Sequence, residues 1–139
     1  MIWKTRPTAD AINNMGDKSM STFLGIEIMD VGDDYLTARM PVDERTRQPY
    51  GILHGGASCV LAETLGSIAG AFCVDMQTQI VVGLEINANH LRPAKDGYVT
   101  GTVRPIHVGR TTHVWDIKIT NEKGDLVCIS RLTLAVKNL

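Results

Sequence analysis

Between residues 57 and 74 the chain is almost wholly apolar or small, and one charge, Glu63, interrupts it. A run this long with 3.6-residue spacing predicts a helix from 54 or 55 to about 73. Ser58, Glu63, Thr64 and Ser67 break its apolar character and Gly66 and Gly70 weaken it, so it reads as a core helix and not as a membrane span. Around it the pattern changes to period two, which predicts strands at 23–29, 36–42, 80–91, 97–107, 110–120 and 126–136. Gly32-Asp33-Asp34, Gly109 and the stretch 121–125 supply the turns. Pro41 suggests a strand edge or terminus, and Pro7 with Gly16 frames a short helix that would flank or cover the rest. In the strand at 80–91, Val82, Leu84, Ile86 and Ala88 fall on one face, opposite Val81, Gly83, Glu85, Asn87 and Asn89.

One long helix and about six strands make an α+β architecture, an antiparallel sheet curled around a single helix. Ala62, Gly66 and Gly70 recur one turn apart and would let the sheet approach the helix closely. No repeat, linker or low-complexity segment divides the chain, so a single domain over 1–139 is expected.

Composition narrows the function classes. Hydrophobic residues make up 44% and charged residues 21%, the balance of a folded globular chain. The formal net charge of -1 and scattered basic residues exclude the footprint of a nucleic-acid binder. Cys59, Cys73 and Cys128 are odd in number and sit in apolar surroundings, which predicts reduced core thiols. With no secretory signal in the first residues, a cytoplasmic protein without membrane partners is expected. His90, His107 and His113 are dispersed among strands, so no metal site is predicted.

Candidate chemistry concentrates on the helix. A buried unpaired carboxylate costs several kcal/mol, so Glu63 in this apolar run calls for a reason. At 100° per residue Gly56, Cys59, Glu63, Ser67 and Gly70 share one stripe. Gly55 and Gly56 open the helix, where free N–H groups and the positive dipole end suit an oxygen that becomes negative in a transition state. From His54 to Glu63 is roughly 13 Å along the axis, too far for one helix to bring both ends to one carbonyl. If both act, two subunits must share each site across a two-fold axis. Taken singly, each residue has a plainer reading: Glu63 as a solvent-facing carboxylate, His54 as a cap or packing residue, Gln48 as a loop side chain and Ser67 as a hydroxyl bonded back to its helix. Cys59 has no histidine at a spacing that would make it a nucleophile.

Taken together, Met40-Pro41-Val42-Asp43, Gln48-Pro49-Tyr50-Gly51, Leu53-His54-Gly55-Gly56-Ala57-Ser58, the helix segment 61–67, the strand 81–90 and Gly109-Arg110 resemble the hotdog-fold thioesterases of the phenylacetate-degradation type. The likeness is strongest to the branches in menaquinone and enterobactin biosynthesis. It implies hydrolysis of an aromatic acyl-CoA or acyl carrier-protein thioester, with coenzyme A leaving as product and no cofactor. It implies Glu63 as nucleophile or general base, Gln48 and His54 polarising the thioester, Gly55 supplying the oxyanion N–H and Ser67 positioning water or assisting Glu63. Val82 and Gly83 would flank the pantetheine arm, with His90 and Arg92 near the nucleotide. Relatives of this type form homodimers by joining sheets edge to edge, and pairs of dimers commonly form homotetramers. Tyr50 departs from the Phe expected there. Two other readings remain open: an acyl-thioester dehydratase or hydratase, and a non-catalytic acyl-CoA binder.

Overall fold

The computed structural model describes residues 1–16 and 18–139. Two short helices, α1 (Ala9–Asn13) and α2 (Met20–Phe23), precede strands β1 (Glu27–Val31) and β2 (Leu36–Pro41). The 18-residue helix α3 (Gly55–Phe72) follows, then β3 (Gln79–His90), β4 (Tyr98–Val108), β5 (Thr112–Thr120) and β6 (Leu126–Asn138). All neighbouring strands are antiparallel, in the order β1-β2-β4-β5-β6-β3, so β1 and β3 are the two edges.

α3 lies against the sheet because one of its sides is made of Leu61, Ala62, Leu65 and Ala69, all fully buried. They meet Trp115, Ile117, Ile119, Leu132 and Leu134, the helix-facing positions of β5 and β6. Each leucine removed from water in this way contributes roughly 1.5–3 kcal/mol. The expected close approach at the small residues is present: a Cβ on Gly66 would collide with the Leu132 side chain, and one on Gly70 would come 2.5 Å from Leu134 Cδ1.

On β5, next to this core, His113 is 1% exposed and packs edge-on to Trp115, with ring centroids 6.0 Å apart. Burial, with His107 adding to it, pushes the His113 pKa below its ordinary value of 6.5, which keeps the ring neutral at pH 7. Neither His113 Nδ1 nor Trp115 Nε1 has a hydrogen-bond partner among the described residues.

Three expectations need correction. The predicted strand at 23–29 begins only at Glu27, because Ser19 Oγ accepts the Thr22 N–H and starts a helical turn that Gly25, at φ +76°, closes. The alternation predicted for 80–91 is broken by a β-bulge: Gly83 pairs with Leu134 and Glu85 with Thr133, leaving Leu84 without a partner. Val81, Ile86 and Ala88 therefore pack on the core, while Val82 and Leu84 are exposed. Of the three cysteines only Cys128 is buried; Cys59 and Cys73 are half-buried. Among the described residues no helix is long and apolar enough to cross a membrane.

Candidate active site

The start of α3 is held by the loop before it. Thr46, 1% exposed, donates its hydroxyl to the Pro41 carbonyl at 2.8 Å and accepts the Asp43 N–H. The Thr46 carbonyl in turn accepts the His54 N–H at 2.8 Å. Asp43 pairs with Arg45 at 2.6 Å, and that hydrogen bond holds its carboxyl below the usual carboxylate range. This framework fixes His54, and Gln48 is held beside it by its N–H bond to the Ile52 carbonyl at 2.8 Å.

His54 is the N-cap of α3, and its Nδ1 accepts the Gly56 N–H at 2.8 Å. Capping uses one of the two glycine donors expected for an oxyanion, and the Gly55 N–H has no acceptor among the described residues. Gln48 is half-buried and its Oε1 accepts the Tyr50 N–H, while its amide nitrogen has no acceptor among the described residues and is left as a donor. The His90 ring lies against the other side of Gly55, where a Cβ would come 2.8 Å from His90 Nε2. Gln48, Gly55, Ser58, His90 and Arg92 thus line one open cleft of about 420 Å³. Within it, Arg92 is tethered through Nη1 to the Leu126 carbonyl at 2.9 Å.

Glu63 is elsewhere. It lies eight residues beyond Gly55, about 12 Å along the helix, and faces out of the protomer instead of into its core. The energetic anomaly inferred from the sequence is therefore absent in one chain: the carboxylate is exposed, and no side-chain hydrogen bond among the described residues engages it. What it touches is β3, since a Cβ on Gly83 would come 2.7 Å from Glu63 Oε2. Glu63 also helps explain Cys59, whose thiol pKa is raised first by burial and then by the Glu63 charge. Burial alone pushes Cys73 to about 11, and it is the main cause at Cys128, also at about 11. All three thiols are thus held protonated at neutral pH, which leaves none suited to nucleophilic attack.

Ser67, one turn beyond Glu63, is half-buried and lines a second cavity of about 350 Å³. That cavity lies between α3 and the α1–α2 segment, and Ile12, Met15, Ile28, Thr64 and Ile68 form much of its wall. Nothing in the chain's patterning pointed to it, because the residues that enclose it come from 12–28 and 64–76 and meet only in the fold. Nor did spacing indicate that His90 rests on Gly55, a contact made by β3 crossing the start of α3. Among the described residues no group of His, Cys, Asp or Glu has the arrangement of a metal site.

The nine candidate residues thus form two groups. Gln48, His54, Gly55, His90 and Arg92 gather around the start of α3, while Glu63, Ser67 and Gly83 gather at its middle with Val82 next to them on β3. A six-stranded antiparallel sheet around one central helix, with these groups on and beside that helix, defines a hotdog fold of the thioesterase class.

The chain belongs to the thioesterase superfamily, whose family description matches residues 50–128. It is 55% identical to the 1,4-dihydroxy-2-naphthoyl-CoA hydrolase of Escherichia coli over 136 residues, 98% of this chain and 99% of that protein. It is 49% identical to a proofreading thioesterase of Cronobacter turicensis over 136 residues, 98% of each. Among solved structures, a mutant thioesterase from Pseudomonas aeruginosa superposes with a TM-score of 0.98 at 50% identity, covering both chains in full. A thioesterase from Haemophilus influenzae gives 0.96 at 51% identity, over 100% of this chain and 96% of that one. The protein is a thioester hydrolase.

Proposed function

We propose that the protein hydrolyses acyl-CoA thioesters, an aromatic acyl group foremost, in sites that two copies of the chain build together. The observation that carries this reading is the separation on α3: the free donor at its start, the Gly55 N–H, and the carboxylate, Glu63, are about 12 Å apart on one rigid helix. A thioester carbonyl can meet both only if they come from different chains.

β3 suits the join. It is an edge strand of 12 residues, with its outer backbone groups unpaired and Ile80, Val82 and Leu84 exposed. Such an edge is a template for pairing with another strand. Two β3 edges paired about a two-fold axis would give two equivalent sites, each with Gln48, His54 and Gly55 from one chain and Glu63 and Ser67 from the other. A homodimer is therefore the minimal active form, and a homotetramer would be a pair of such dimers.

In this arrangement the thioester oxygen accepts from the Gly55 N–H and the amide nitrogen of Gln48, which stabilise the negative charge that develops there. Glu63 then acts in one of two ways. As a base it takes a proton from water while the water oxygen bonds to the carbonyl carbon, and the tetrahedral species expels the thiolate. As a nucleophile it bonds to that carbon itself, releasing thiolate and leaving an anhydride that water opens. Either route yields the carboxylic acid and free coenzyme A, without a cofactor. Ser67 would hold the water beside Glu63, with His90 and Arg92 on the path to the nucleotide and Val82 and Gly83 along the pantetheine.

The second cavity is the fitting place for the acyl group, because Thr64, Ser67 and Ile68 extend it from Glu63 along α3 and most of its wall is apolar. Its lining includes no histidine, whereas a dehydratase or hydratase needs one aimed at the acyl chain. A relative named for 1,4-dihydroxy-2-naphthoyl-CoA favours an aromatic acyl-CoA, and one named as a proofreading thioesterase favours thioester hydrolysis in general.

The test is thiol release from a panel of aryl, short-chain and long-chain acyl-CoA and carrier-protein thioesters, with the wild type and Glu63→Gln. Turnover should be fastest on an aryl-CoA, and Glu63→Gln should lower kcat by about 10²–10⁴-fold, the usual contribution of a positioned base. A variant that keeps most of its activity would contradict the role of Glu63.

A further inference from the structure

α1 is only five residues long, far below the length at which a helix holds itself together in water. Yet it supplies Ile12 and Asn13 to the second cavity, and Met15 just after it, so its position sets one wall. Three contacts fix it. Thr8 Oγ1 accepts the Ala11 N–H, Ile12 is 7% exposed in the core, and Asn13 reaches across to β1.

The last contact is unusual in form. Asn13 Nδ2 donates to the Ile28 carbonyl at 2.9 Å, and Asn13 Oδ1 accepts the Ile28 N–H at 2.8 Å. β1 is an edge strand, so the Asn13 carboxamide occupies the place that one residue of a further strand would take. Ile28 itself lines the same cavity and is 4% exposed. One side chain therefore joins two walls, the helical one carrying Ile12 and Met15 and the strand one carrying Ile28. The carboxamide uses its nitrogen as donor and its oxygen as acceptor, and the clip is indifferent to pH because neither partner ionises.

We infer that Asn13 is a positioning residue for acyl selectivity: by clipping α1 to the edge of β1 it fixes the width of the cavity that receives the acyl group. This rests on the proposed assignment of that cavity, and Asn13 takes no part in the bond changes. Losing the clip frees the α1 wall, so a bulky acyl group loses close contact while a small one, which does not reach the wall, loses nothing.

The test compares benzoyl-CoA with acetyl-CoA in the full chain, for the wild type, Asn13→Ala and Asn13→Asp, together with exchange of the Ile28 amide hydrogen. Asn13→Asp keeps the acceptor for the Ile28 N–H and loses the donor, so it preserves half the clip if the alanine variant folds poorly. The expected result is a benzoyl-CoA KM raised about tenfold in Asn13→Ala, the discrimination carried by one methylene-sized contact. kcat and the acetyl-CoA parameters should stay near wild type, Asn13→Asp should be intermediate, and Ile28 exchange should quicken in step. If the wild-type preference persists although Ile28 exchanges faster, the inference is overturned while the proposed function stands. If Ile28 exchange does not change, the clip itself is refuted. A wild type that hydrolyses neither thioester would refute the proposed function, and this inference with it.

Discussion

The carboxylate of Glu63 rests on Gly83, and that contact separates stability from catalysis. An alanine at Gly83 would bring its Cβ 2.7 Å from Glu63 Oε2, so one of the two must move. The carboxylate is the far end of an exposed, flexible side chain and can swing aside cheaply, so Gly83→Ala should leave stability within about 0.5 kcal/mol of wild type. Its reactive oxygen would then be displaced by an ångström or more, for which a loss in kcat of about 10²-fold is expected. Thermal unfolding and steady-state thiol release on the same sample check both halves; a variant with full activity would show that the Glu63 position is not set by β3. The type of residue was legible here and its setting was not. The sequence marks Glu63 as the one charge in an apolar helix, which suggests burial, but helix periodicity cannot say which side of the stripe faces the sheet when small residues lie all round it. Of the two readings of His54, the structure bears out the cap, since its Nδ1 accepts the Gly56 N–H at the start of α3.

At the scale of elements, the pattern of apolar positions predicted the long helix to within a residue at each end, and five of the six strands to within two. Gly66 shows why the helix and sheet were readable as a pair. Its missing Cβ is the space that the fully buried Leu132 side chain fills. Gly66→Ala would gain about 1 kcal/mol in helix propensity, and forcing Leu132 out of its place in a closed core costs about 1–3 kcal/mol. The clash wins, so chemical denaturation should show a net destabilisation of up to about 2 kcal/mol. Neutral or improved stability would mean that Leu132 has room to turn. Two elements resisted the same reading for physical reasons. β3 carries a bulge at Leu84, and a single extra residue inverts the faces of everything on one side of it. The segment before β1 is hydrophobic enough for a strand, but Ser19 and Gly25 supply cap and stop for a helical turn, and local hydrogen bonds prevailed over the weak period.

For the whole molecule, the helix imposes the strongest constraint. Gly55 and Glu63 are both on α3, which cannot bend through the distance between them, and the long free edge of β3 lies beside the carboxylate. This constraint was available from the sequence, because helix rise needs only a residue count. The cavities were not, since each is enclosed by stretches far apart in the chain. A shared site makes a prediction that a site within one chain does not. Glu63→Ala and His54→Ala each disable a different half, so in a mixed dimer one site carries both lesions and the other carries neither. Co-expression of the two variants with different tags, followed by thiol-release assay of the mixture, tests this most directly. Random pairing makes half the dimers mixed, each with one intact site, so activity should return to about a quarter of wild type although each variant alone is nearly inactive. A mixture no more active than the two variants assayed separately would contradict the shared site, and with it the claim that two copies of this chain build one catalytic centre.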